Sequence, residues 1–181
     1  MTAYRRVFIP GGTYFFTVNL HDRRSDLLLR HIDVLRQAVA NVSRAHPFTI
    51  DAWVVLPDHL HAMWTLPPDD DDFPTRWRLI KASFSRNIPH RPSRSRSRHQ
   101  RRERSIWQRR YWEHLIRDER DYERHMDYIH FNPVKHGYVE AVGDWEFSTF
   151  HRSVERGMYP PEWAERAATI EGLFGERDEH L

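Results

Sequence analysis

The order of apolar segments along the chain constrains its fold more than any other feature. Short runs rich in β-branched and aromatic residues, typical of strands, occur at residues 14–20, 48–56, 59–66 and 106–116. Runs with apolar residues at helical spacing occur at residues 26–46, 73–87 and 118–131. The order β-α-β-β-α-β-α matches the split βαβ, ferredoxin-like pattern up to the fourth strand. We therefore predict an α+β fold with a central antiparallel sheet and helices on one face, and other small α+β sheets are the alternatives.

Proline and glycine mark the predicted ends of these segments. Pro57-Asp58 is a turn signal that joins the second and third strands as a hairpin. The helix 118–131 is predicted to end at Asn132-Pro133, because a residue before proline is disfavoured in the α region. One more turn at 134–136, closed by Gly137, and a final short helix at 162–174 complete the prediction.

Composition excludes several classes of protein. The chain has 24 aromatic residues (7 Trp, 7 Tyr and 10 Phe), which a disordered protein would lack. Absence of cysteine excludes disulfides, thiolate metal sites and cysteine nucleophiles. Residues 1–10 lack a secretory signal, and no apolar run approaches the length of a membrane span. We therefore expect a cytoplasmic protein with no membrane partner.

The net charge of +2 conceals a strongly basic segment. Residues 76–110 contain 13 Lys and Arg against one acid, Glu103, whereas the rest of the chain has 15 basic and 25 acidic residues. The part of this segment at about residues 90–105 is rich in Arg and Ser, and we expect a flexible loop there. Such one-sided charge can be a solvated face, but here it favours a polyanionic partner such as a nucleic acid.

The phrase LPDHLHAMWTL at residues 56–66 places two histidines on one strand. Residues two apart on a strand point to the same face, so His59 and His61 should stand side by side. Two imidazoles so placed can bind one divalent ion and leave coordination positions open for a phosphate oxygen. On pattern alone, a polar surface pair is the simpler explanation.

A second candidate site lies in the phrase YIHFNPV at residues 128–134. Tyr128 and Asn132 are four residues apart on a predicted helix and therefore share a face. A tyrosine hydroxyl attacks phosphorus when a metal polarises the phosphate or a base removes its proton, and an asparagine amide can ligate the same metal. Alternatively, Tyr128 packs on the sheet and Asn132 merely ends the helix.

Taken together, these motifs resemble the REP-associated tyrosine transposases, which belong to the single-tyrosine HUH transposases. The resemblance covers nearly the whole chain. It is carried by residues 10–16 (PGGTYFF), 56–66 (LPDHLHAMWTL), 76–86 (RWRLIKASFSR), 106–117 (IWQRRYWEHLIR), 127–137 (DYIHFNPVKHG) and 148–153 (STFHRS).

The resemblance implies a site, a cofactor and a reaction. His59 and His61 would bind Mg²⁺ or Mn²⁺, and Asn132 would complete the metal site where related insertion-sequence enzymes have Gln. Tyr128 would attack a phosphodiester of single-stranded DNA, form a 5′-phosphotyrosine and release a 3′-OH, and reversal by another 3′-OH would rejoin strands. The implied DNA is a repetitive extragenic palindrome (REP), a hairpin with a single-stranded foot.

The basic segment supplies the predicted DNA contacts, because arginine and lysine hold the phosphate backbone and aromatic faces stack on unpaired bases. The predicted backbone contacts are Arg76, Lys81, Arg86, Arg109 and Arg110. Trp107 and Trp112 are the candidate stacking residues. Residues proposed to support the nucleophile are His130 and His136, which flank it, and Glu113 and His114 on the fourth strand.

Two other functions are compatible with the sequence. One is a binding module for structured nucleic acid that no longer cuts, and the other is a metal-dependent hydrolytic nuclease in which water attacks. We divide the chain into a catalytic domain at 1–140 and a C-terminal extension at 141–181 that packs on it. Because the aromatic extension can cover the protomer, we favour a monomer over a homodimer.

Overall fold

The computed structural model describes residues 6–89 and 106–163. Its strands are β1 (Thr13–Asn19), β2 (Thr49–Val55), β3 (His59–Thr65) and β4 (Trp112–Leu115). Its helices are α1 (Leu27–Arg30), α2 (Ile32–Ala45), α3 (Phe73–Asn87), α4 (Glu119–Lys135) and α5 (Phe150–Glu155), with a 3₁₀ turn at Val142–Asp144. The Arg- and Ser-rich loop of about 90–105 and nearly all of the predicted helix 162–174 lie outside the described residues.

The four strands form one antiparallel sheet in the order β2-β3-β1-β4. The helical connection from β1 to β2, made by α1 and α2, leaves room for β3 between these strands, which is the split βαβ arrangement. The predicted α+β architecture is therefore confirmed. Among the described residues, no helix combines the length and apolarity needed to cross a membrane.

Successive side chains along each strand point to opposite faces of the sheet, so the interior has two layers. One layer, which includes Tyr14, Phe16 and Trp64, packs against α2 and α3. The other layer, which includes Phe15 and Met63, packs against α4. The prediction of helices on one face holds for α2 and α3 but is wrong for α4, which packs against the opposite face of the sheet. Because His59 and His61 share the strand parity of Met63, they face α4.

Two predicted elements are shorter or divided in the structure. The helix predicted at 26–46 is interrupted at His31, and a hydrogen bond from Leu28 N to Pro57 O (3.2 Å) ties α1 to the β2–β3 turn. The strand predicted at 106–116 is reduced to β4, and Trp107 forms only an isolated bridge with Leu20. The exposed pair Arg109 and Arg110 separates that bridge from β4.

The helix predicted to stop before Pro133 continues to Lys135. Proline removes one N–H donor, yet the last turn is closed by bonds from Gly137 N to Val134 O (2.9 Å) and from Tyr138 N to Pro133 O (3.0 Å). These two bonds, with Gly137 at φ 70°, form a Schellman motif. The predicted stop was wrong because the C-terminal motif stabilises the turn that contains the proline.

The segment after α4 packs along the outer edge of β2. Val55 N donates to Phe147 O and Thr149 N donates to Trp53 O, both at 2.8 Å. The indole Nε1 of Trp145 donates to the carbonyl oxygen of Val55 at 3.0 Å. An edge strand exposes unpaired backbone groups, and this segment covers those of β2.

Candidate active site

The two histidines of β3 are buried side by side under α4. His59 is 2% exposed and His61 is 0% exposed, and their ring centroids lie 5.1 Å apart. This burial rules out the alternative of a polar surface pair. Buried imidazoles need partners, since an unsatisfied polar group in the interior is costly.

Each ring is held through its Nδ1 atom. Nδ1 of His59 donates to Asp58 Oδ1 at 2.8 Å, and Arg23 Nε lies 3.0 Å from Asp58 Oδ2. Nδ1 of His61 lies 2.9 Å from Thr17 Oγ1 on β1. These contacts hold each ring through Nδ1, so Nε2 is the ring nitrogen that could ligate a metal ion.

The electrostatics of the Asp58–His59 pair suit a metal ligand. Burial lowers the pKa of His59, although the bond and the charge of Asp58 act in the opposite direction. Burial alone would raise the pKa of Asp58, but the hydrogen bond from His59 and the charges of His59 and Arg23 bring that pKa below its usual value. A neutral imidazole oriented by a carboxylate is the state in which histidine binds divalent metals.

Helix α4 presents one stripe of residues to the histidine pair. Tyr128 is 3% exposed, and its ring centroid lies 5.2 Å from that of His61. His136, two turns later, lies 5.4 Å from His59 between ring centroids. Asn132 lies midway along the same stripe and is fully buried. The structure thus brings together His59, His61 and Tyr128, and Asn132 lies one turn after Tyr128 on the same face of α4.

Three further residues contact this centre and were not predicted from the sequence. Asp58 and Thr17 hold the histidine rings, and the Nζ atom of Lys135 lies 5.0 Å from the ring centroid of Tyr128. Only Asp58 gave a sequence signal, because it directly precedes His59. Thr17 is a site neighbour only through the pairing of β1 with β3, which brings it opposite His61.

A second histidine cluster lies between β4 and the start of α4. His114 Nε2 lies 2.8 Å from Asp121 Oδ2, and His125 Nδ1 lies 2.7 Å from the backbone oxygen of Asp121. One ligand atom from each of the three residues falls within 4.8 Å of the others, so this cluster could also hold a metal ion. It includes neither His59 nor His61, and Asp121 Oδ2 also accepts from Arg117 N (3.1 Å) at the helix start.

The residues that were predicted to support the nucleophile do not all lie near it. Glu113 points to the opposite face from His114, where Arg6 Nε lies 2.9 Å from its Oε1. His130 is fully buried, its Nε2 lies 3.1 Å from Thr149 Oγ1, and burial together with the charge of Arg152 lowers its pKa to about 3. His130 therefore contacts the C-terminal segment, and only His136 contacts the histidine pair.

The family described as "Transposase IS200 like" matches residues 12–132 of this chain. The matched region contains His59, His61 and Tyr128 and ends at Asn132. A REP-associated tyrosine transposase of Escherichia coli (strain K12) is 54% identical over 164 residues, which are 91% of this chain and 92% of that protein. The chain belongs to the REP-associated tyrosine transposases.

Two further comparisons agree with this membership. A provisionally named REP-associated tyrosine transposase of Haemophilus influenzae (strain Rd) is 46% identical over 164 residues, covering 90% of this chain and 93% of that protein. A solved structure of a REP-associated tyrosine transposase bound to a REP hairpin is 51% identical, with a TM-score of 0.83 and coverage of 98% of both chains. The fold of this transposase is thus the HUH transposase fold.

The predicted DNA contact at Arg76 is wrong. This side chain is 1% exposed, and its guanidinium nitrogens bond both carboxylate oxygens of Asp70, at 2.9 and 2.7 Å. They also donate to the backbone oxygens of His46, Pro47 and Asp72. Arg76 is part of the transposase core because these partners, of which His46 and Pro47 are distant in sequence, enclose it.

The remaining predicted DNA contacts differ in their exposure. Arg86, Arg109 and Arg110 are exposed. Lys81 is half-buried, and its Nζ donates to Gln108 O at 2.7 Å, which ties the chain after the basic loop to α3. Burial, with a smaller effect of Arg6, lowers the pKa of Lys81 to about 8.

The two candidate stacking residues are both half-buried and pack within this transposase. Trp107 contacts Phe84, with ring centroids 5.3 Å apart. Trp112 contacts Phe15 at 5.6 Å and lies parallel to His114 at 5.8 Å. Each ring therefore uses at least one side for internal packing.

Proposed function

We propose that this transposase cuts and rejoins single-stranded DNA beside a hairpin, through a covalent 5′-phosphotyrosine on Tyr128. The observation that carries the proposal is the contact of the Tyr128 ring with His61 inside a buried histidine pair. The relative solved with a REP hairpin supports a DNA of the same kind for this chain. Since such DNA is chromosomal, the protein acts in the bacterial cytoplasm, at the nucleoid.

His59 and His61 would hold a divalent ion, Mg²⁺ or Mn²⁺, with Asn132 as a third ligand. The residues fit such an ion, since both rings are held through Nδ1 and Asn132 is a fully buried amide one turn after Tyr128 on the same face of α4. Three protein ligands leave coordination positions for the substrate. When bound, the ion supplies Lewis-acid polarisation of a phosphate oxygen.

Tyr128 performs the covalent step. Its Oη forms a bond to phosphorus as the bond from phosphorus to the 3′-oxygen breaks, the phenolic proton passes to solvent, and the departing 3′-oxygen takes up a proton. The number of phosphodiester links is conserved, so a later 3′-OH can reverse the step without a nucleotide cofactor.

Binding of the DNA backbone falls to exposed arginines. Arg86 lies in the last turn of α3, just before the basic loop, and Arg109 and Arg110 lie just after it. All three can pair with phosphates without breaking an internal bond of the core. We further propose that the protein acts as a monomer, in keeping with the cover that residues 145–149 provide on β2.

The test uses a hairpin oligonucleotide with single-stranded flanks, Mn²⁺ and a denaturing gel. The intact protein should form a covalent protein–DNA adduct, and Tyr128→Phe should form none while binding the hairpin normally. Tyr138→Phe is the matched control, because Tyr138 lies beyond the end of α4, is 44% exposed and should not alter the adduct.

Each alternative function gives a different gel. Free cleavage products from Tyr128→Phe would mean that water attacks and the protein is a hydrolytic nuclease. Uncut DNA with the intact protein would mean a binding module. An adduct on Tyr128→Phe would place the nucleophile at another tyrosine.

A further inference from the structure

Lys135 is unusual both in its residue type and in its position. The chain has 28 basic residues, of which only Lys81 and Lys135 are lysine. Arginine carries a broad planar group, whereas lysine carries a compact charge on a flexible stem. A chain that uses arginine at almost every basic position has lysine at the site, which suggests a requirement for a compact, mobile charge.

The position of Lys135 relates it directly to the proposed nucleophile. It lies seven residues after Tyr128 on α4, two turns along the same face. Its Nζ atom is 5.0 Å from the centroid of the Tyr128 ring. Lys135 is exposed while Tyr128 is 3% exposed, so the ammonium lies at the border between solvent and the buried ring. A DNA phosphate that approaches Tyr128 from this side would meet the ammonium.

We propose that Lys135 supplies the positive charge that offsets the negative charge developing on the Tyr128 oxygen and the attacked phosphate. This inference rests on the proposed function, since it assigns a further residue to the same reaction. Lys135 keeps its proton throughout: the bond to phosphorus forms from Tyr128 Oη, the 3′-oxygen leaves, and the phenolic proton passes to solvent.

The arrangement favours the transition state over the ground state. In the resting protein the contact between the ammonium and the face of the Tyr128 ring is a weak cation–π contact. The attraction grows as charge moves onto the oxygen and the phosphate. Interactions that strengthen in this way accelerate the chemical step, whereas uniform binding does not.

The first experiment removes the charge and keeps the stem. With saturating protein and Mn²⁺, Lys135→Met should slow adduct formation by about 10- to 100-fold and leave hairpin affinity within about threefold. Arg120→Met, which removes an exposed charge from the same helix, should leave the rate unchanged. Thermal unfolding of each variant shows whether it folds. An unchanged rate in folded Lys135→Met would overturn the proposal.

The second experiment restores the charge chemically. Since the natural chain has no cysteine, Lys135→Cys introduces a single thiol that can be alkylated selectively. Reaction with 2-bromoethylamine recreates an ammonium of nearly the same length and should restore most of the rate. Iodoacetamide adds a neutral group of similar size and should not.

The outcomes separate this inference from the proposed function. Equal rescue by the two reagents, or no rescue by the amine in a folded protein, would refute a role for the charge. Absence of an adduct with the unaltered protein would instead refute the phosphotyrosine reaction itself.

Discussion

Asp58 offers a quantitative test of the proposed metal site. Its carboxylate is 6% exposed and is shared between His59 Nδ1 at 2.8 Å and Arg23 Nε at 3.0 Å. The substitution Asp58→Asn keeps the shape of the side chain and removes its charge. The amide oxygen can still accept from His59, but the amide nitrogen then faces the Arg23 guanidinium, where two donors meet.

The expected magnitude follows from these two bonds. A hydrogen bond to a charged group stabilises by about 1.5–3 kcal/mol and a neutral one by about 1 kcal/mol. The orientation of His59 is therefore weakened by about 0.5–2 kcal/mol, a factor of about 2–30 in an equilibrium constant. This range overlaps the losses in metal affinity of about 10- to 100-fold that follow mutation of residues that orient metal ligands.

The assay measures the rate of adduct formation against Mn²⁺ concentration. For Asp58→Asn, the Mn²⁺ concentration that gives half the maximal rate should rise about tenfold, and excess Mn²⁺ should restore the maximal rate. Asp22→Asn is the control, because the Asp22 side chain is 65% exposed beside Arg24. An unchanged half-saturating concentration in Asp58→Asn would refute the argument that Asp58 orients a metal ligand.

Two further predictions concern the basic residues. Arg76→Met should lower the free energy of unfolding by about 3–5 kcal/mol, because it leaves the partners of a buried ion pair unsatisfied, whereas Arg86→Met should leave stability unchanged and reduce the salt dependence of DNA binding by about 0.7 in log–log slope. Urea denaturation measures the stability of both variants, and salt titrations measure their DNA binding. Equal losses of stability would contradict the assignment of Arg76 to the core and Arg86 to the surface. Burial lowers the pKa of Lys81 from 10.5 to about 8. Between these two pH values the unfolded chain therefore binds more protons than the folded protein does. The free energy of unfolding should therefore rise from pH 7.5 to 9.5, and Lys81→Met should show a smaller rise; an identical rise would count against the shifted pKa.

The residues predicted best from sequence are those whose geometry is local. Strand periodicity alone places His59 and His61 on one face, and helix periodicity places Tyr128 and Asn132 together. Neither period says which side of the sheet α4 will cover, so the contact of Tyr128 with His61 needed the structure. The same holds for Thr17, which lies opposite His61 only because β1 pairs with β3.

The predictions that failed depended on contacts distant in sequence or on a competing local motif. Arginine is usually exposed, and only the fold brings the carbonyl oxygens of His46 and Pro47, which are distant in sequence, to Arg76. The stop at Pro133 follows from the average behaviour of proline, which the Schellman motif at Gly137 overrides.

The cover on β2 bears on how the chain can be divided. Residues 147–149 hold backbone groups of Trp53 and Val55, so a fragment that ends at residue 140 would leave that strand bare. Bare strand edges pair with other chains and aggregate. The boundary at 140 therefore separates regions by sequence, whereas the unit that can be expressed and studied by itself must extend at least through Thr149.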